Sequence, residues 1–67
     1  MEKRFEVLWY EGTNEKEAIN NGYITEEFRT RKEALDFYEK HKNDANKFDW
    51  WITRRNADWE VIEDIII

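Results

Sequence analysis

Sixty-seven residues with a formal net charge of -5 describe one domain, 1–67, because a second would have too few residues to bury a core. Charged residues make up 40% and aromatic residues 16%, including four tryptophans, so a folded, ring-filled domain is expected rather than a disordered chain. Cysteine and serine are both absent, which excludes disulfides, thiolate metal sites and the commonest catalytic nucleophiles.

The first element in chain order is Arg4-Phe5-Glu6-Val7-Leu8-Trp9-Tyr10-Glu11. Phe5, Val7 and Trp9 share one face by the period of two, with Leu8 and Tyr10 on the other. This is a strand. The polar stretch from Gly12 to Gly22 carries Asn14 and, three residues later, Glu17, a loose capping-box spacing. It predicts a short helix over about 15–20, with an extended loop as the alternative. Residues 23–29 read as a second strand, with Ile24 and Phe28 on one face. Glu26 between them favours a sheet edge, where a carboxylate reaches water.

Thr30-Arg31-Lys32-Glu33 is a capping box. Glu33 is expected to reach back to the Thr30 backbone N–H. Ala34, Phe37, Tyr38 and His41 then follow helical spacing, which predicts an amphipathic helix over 31–42. Residues 48–55 form a third strand and 59–67 a fourth. With Asn56-Ala57 as a tight turn, Arg55 faces Asp58, Thr53 faces Glu60, Ile52 faces Val61, Trp50 faces Glu63 and Phe48 faces Ile65.

The fold class is therefore α+β: an antiparallel sheet of about four strands in ββαββ order, with one helix packed on one face. The expected core holds Phe5, Val7, Trp9, Ile24, Phe28, Ala34, Tyr38, Phe48, Trp50, Ile52, Val61 and Ile65.

Little in the chain points to catalysis. His41 is the single histidine, near a helix C-terminus, and no carboxylate is tied to it by spacing. Gly12 and Gly22 are too far apart for a phosphate-cradling loop. No metal-loop spacing occurs. The expectation is a non-enzymatic protein without catalytic, cofactor or metal residues. No run of ~18 apolar residues is present, so no membrane span is expected. The segment from Met1 to Phe5 lacks the apolar stretch of a signal peptide. A cytoplasmic protein is the expectation.

The most informative feature is an apolar surplus on the sheet face opposite the helix. Leu8, Tyr10, Trp51, Thr53, Ile62 and Ile66 make a candidate interaction face, with Arg55, Glu60 and Asp64 as its polar rim. One short helix covers only one face. The other is expected to stay exposed, to lie under residues 12–22 or to meet a partner. Three functions follow. The first is an acidic interaction module that binds a protein partner through this aromatic face. In size, acidity and ring content it resembles phage-encoded inhibitors of host nucleic-acid enzymes, with no motif behind the likeness. The second is a single-stranded nucleic-acid binder using Trp51, Thr53 and Arg55, disfavoured by the net negative charge. The third is a self-associating structural protein, such as a homodimer.

Overall fold

The computed structural model describes residues 2–65. Its elements are β1 (Phe5–Glu11), α1 (Glu15–Asn21), β2 (Tyr23–Phe28), α2 (Arg31–His41), β3 (Lys47–Arg55) and β4 (Val61–Ile65). The strands form one antiparallel sheet in the order β2-β1-β3-β4. The α+β class read from the sequence is the one observed. Ile66 falls outside the described residues.

Local capping sets both helices. The Asn14 side chain accepts from the Glu17 backbone N–H at 2.9 Å and starts α1. Gly22, at φ 83°, ends it in a conformation that side-chain-bearing residues rarely adopt. Gly12 has a different role. A Cβ there would stand 2.8 Å from the Ala18 nitrogen, so only glycine lets α1 lie this close to the end of β1. Thr30 caps α2 by accepting from the Glu33 N–H at 3.1 Å. The reciprocal half of the expected box differs: the Thr30 hydroxyl donates to the Glu33 carboxylate.

α2 packs on β1, β2 and β3. The buried centre beneath it is Val7, Trp9, Ala34, Ile52 and Ile65, flanked by Phe5, Phe28, Leu35, Phe37, Tyr38 and Trp50. Trp9, Trp50, Phe37 and Tyr38 meet ring to ring, with centroids 5.1–6.2 Å apart. Such contacts supplement the burial of a small core.

Three sequence expectations are corrected, the first two by irregularities that simple alternation does not reveal and the third by an edge position. First, Leu8 pairs with Trp51 but Tyr10 pairs with Phe48, so Asp49 and Trp50 together oppose Trp9. Asp49 is the extra residue, at φ 56°. The bulge moves Phe48 out of the α2 core and onto the face of Tyr10. Second, the β3–β4 connection is longer than Asn56-Ala57. The Asn56 side chain accepts from both the Asp58 and Glu60 N–H groups at 3.0 Å, and Trp59 takes φ 64°. This shifts the register: Ile52 pairs with Ile65, Thr53 with Asp64, Arg54 with Glu63 and Arg55 with Val61. A second bulge at Ile62 turns Val61 out of the core, where it is exposed. Third, Ile24 sits on the β2 edge and is also exposed.

Candidate interaction surface

The face away from α2 is built in rows by the strand register. Tyr23, Tyr10 and Phe48 form one row, and Thr25, Leu8 and Trp51 the next. Glu27, Glu6, Thr53 and Asp64 form the third. In the first two rows the Trp51 ring lies 5.8 Å from Tyr10 and 6.2 Å from Tyr23, centroid to centroid. Trp51 and Tyr10 are half-buried, while Tyr23 is 61% exposed. α1 lies against β1 and β3 and buries Ala18, outside the cluster under α2. It leaves the Tyr23 ring in solvent.

The third row is polar, with its central members Glu6 and Thr53 buried and Glu27 and Asp64 exposed. Glu6 is buried at 7% exposure, and its carboxylate accepts from Arg55 Nε at 3.3 Å and Nη2 at 3.2 Å. Arg55 also donates to the Trp59 carbonyl at 2.7 Å and lies 5.3 Å from the Trp59 ring centroid. One guanidinium thus ties β1 to the β3–β4 loop. Fork-shaped donors suit this bridging role.

The sequence-derived face is therefore assembled only in part. Tyr10 and Trp51 are brought together. Leu8, at 5% exposure, is buried beside Trp51 and supports the surface instead of presenting one. Thr53, at 4% exposure, lies between Glu6 and Asp64 and is likewise closed to a partner. Ile62 is exposed but stands at the opposite end of the sheet, beside Phe5 and Arg4. Of the rim residues, Asp64 is exposed, Glu60 is exposed with its carboxylate 3.4 Å from the Asn56 amide, and Arg55 is committed to Glu6. Tyr23 is the member that the sequence did not reveal. It joins through its pairing with Tyr10, and α1 intervenes between the two strands.

Carboxylates accompany the rings. Glu15, in the first turn of α1, is hydrogen-bonded to Asp49 at the bulge. That contact, then repulsion between the two charges, raises the Glu15 carboxyl above its ordinary value. Elsewhere, His41 Nδ1 lies 2.9 Å from Asp44, whose carboxyl is held low chiefly by that bond. Lys47 contacts both Asp44 and Glu11, and Trp9 Nε1 donates to Glu11. This chain closes the C-terminal end of α2 onto the sheet, so His41 has a structural place. Among the described residues, no group of three or more His, Asp or Glu is placed to hold a metal ion. Nor is any helix among them long and apolar enough to cross a membrane. Comparison with protein-family models, curated proteins and solved structures finds no match.

Proposed function

We propose that this chain is a cytoplasmic, non-enzymatic interaction module that receives a basic protein partner on its second sheet face. The observation that carries the reading is the ring trio Tyr10, Trp51 and Tyr23, of which the outermost is 61% exposed. Rigid rings supply contact area at little entropic cost and are favoured anchors of interfaces. Glu15 and Asp49 near the first row, together with a net charge of -5, favour a partner rich in Lys and Arg. An inhibitor or adaptor works in this way, by occupying a surface on its target.

Affinity capture from cell lysate tests the proposal. The wild type is expected to retain a defined protein, with retention weakened by salt and abolished in Tyr23→Ala. Equal retention by Tyr23→Ala, with its fold intact, contradicts the proposed face. Nucleic-acid binding is the competing outcome. A log–log salt slope of roughly -2 or steeper for single-stranded DNA would favour it. The burial of Thr53 and the pairing of Arg55 with Glu6 weigh against it.

Self-association is a second reading, favoured by β4. It is an edge strand with Val61 and Ile62 exposed, and such an edge can pair with a second copy. Light scattering after gel filtration distinguishes a dimer from a monomer.

A further inference from the structure

All five arginines of the chain gather at one end of the sheet, although they are scattered through the sequence. The topology brings them there. β2 and β3 both run antiparallel to β1, so Phe5 at the start of β1 meets Phe28 at the end of β2 and Arg54 near the end of β3. Arg4 precedes β1, Arg29 follows β2, Arg31 opens α2, and Arg54 and Arg55 finish β3. Four of them, Arg4, Arg29, Arg54 and Arg55, line an open cleft of about 470 Å³. Phe5 and Ile62 give the cleft an apolar wall. No lysine lines it.

Charge in the cleft lining runs against the net charge of the chain. Glu2 pairs with Arg4, Glu6 with Arg55, and Glu63 is shared between Arg31 at 2.8 Å and Arg54 at 3.1 Å. The cleft lining itself sets four guanidiniums against the single carboxylate of Glu2, in a chain of net -5. Arg29 makes no ion pair among the described residues. Arg29 also lines a neighbouring cleft together with Glu26, Glu27, Glu33 and Lys3. Arg54 and Arg31 each hold only a share of one carboxylate.

We propose that this cleft binds a phosphate monoester. Planar guanidinium forks match phosphate oxygens in pairs, which a cluster of lysines does not. A phosphate monoester carries a charge of about -1.5 to -2 at neutral pH, which suits a lining of four guanidiniums and one carboxylate. The wall of Phe5 and Ile62 suits the organic body of an ester better than a bare ion, and the volume falls within the range for small ligands. Glu2 occupies the Arg4 guanidinium in the absence of ligand and competes with it. The cleft lies at the Phe5 end of β1, roughly 17 Å along the strand from Tyr10, so it stands independently of the ring face.

Amide-resolved NMR titration of the full chain with phenyl phosphate tests the site, with benzoate and inorganic phosphate as comparisons. Saturable shifts are expected at Phe5, Arg54, Arg55 and Ile62, with phenyl phosphate binding tighter than either comparison. Arg29→Gln should weaken binding by about tenfold or more, one lost charge-assisted contact. Glu2→Gln should tighten it. Adenosine 5′-monophosphate and a phosphotyrosine peptide then distinguish a free metabolite from a modified protein as the source of the ester. Unchanged affinity in Arg29→Gln, non-saturating shifts spread over the lysines, or binding of single-stranded oligonucleotide without binding of phenyl phosphate would each overturn the proposal. Arg29 is exposed and forms no ion pair among the described residues, so its substitution is expected to leave the fold intact, checked by circular dichroism.

Discussion

Trp9 and Trp50 stack with ring centroids 5.1 Å apart and planes 24° from parallel, and the extra residue Asp49 accompanies them in the strand pairing. Asp49 holds φ at 56°, a region that aspartate tolerates and β-branched residues do not. Asp49→Val should therefore destabilise the domain by about 1–2 kcal/mol or more. Asp49→Gly should stay within about 1 kcal/mol of wild type. Chemical denaturation measures both. The near-ultraviolet signature of the tryptophan pair should survive in Asp49→Gly.

The Thr53 hydroxyl is buried with no hydrogen-bond partner among the described residues. Burying such a group unpaired costs about 1–3 kcal/mol, and valine has nearly the same shape. Thr53→Val should accordingly be neutral or stabilising, by up to about 1 kcal/mol. A lower denaturation midpoint in this variant would show that the hydroxyl is satisfied in solution.

The Glu6–Arg55 pair joins the central strand to the β3–β4 loop. Glu6→Gln leaves a half-buried guanidinium without its counter-charge and should cost about 1.5–3 kcal/mol. In a double-mutant cycle with Arg55→Gln, the two losses should be strongly non-additive. Simple additivity would mean that the bridge is not formed.

Stability should respond to pH in two opposed ways. The Glu15 carboxyl is raised by its hydrogen bond with Asp49, so the folded state holds that proton more tightly than the unfolded chain. This contribution favours the fold below the ordinary value of 4.5 and is lost as pH rises above it. Asp44, lowered chiefly by His41, and Glu11, lowered chiefly by Trp9, act oppositely. Their stabilisation is present above their ordinary values of 3.8 and 4.5 and fades as pH falls through the depressed range. Glu15→Gln should remove the loss of stability above pH 4.5 while leaving the acid limb unchanged. Denaturation midpoints across that interval read both effects.

Much of the fold was legible because local signals agreed with the global arrangement. Asn14 and Thr30 mark the starts of both helices, and the alternation of Phe5, Val7 and Trp9 marks the core face of β1. Phe48 and Val61 fall on the unexpected face because each lies just before a bulge, where one extra residue reverses their facing relative to the residues that follow it. The β3–β4 register depended on Asn56, whose side chain adds to its backbone pairing with Glu60 and holds a longer loop. Leu8 and Tyr10 were correctly assigned to the second face, but periodicity gives facing and not depth. It could not show that Leu8 lies buried beside Trp51 while Tyr23 remains in solvent. The arginine cleft was invisible for another reason: its members come together only through strand order.

The most direct test of the ring face is partner capture by wild type, Tyr23→Ala and Arg29→Gln, compared at low and high salt. The account expects a defined basic protein retained by wild type and by Arg29→Gln, lost in Tyr23→Ala, and weakened by salt. Retention of the same partner by a folded Tyr23→Ala variant would contradict it.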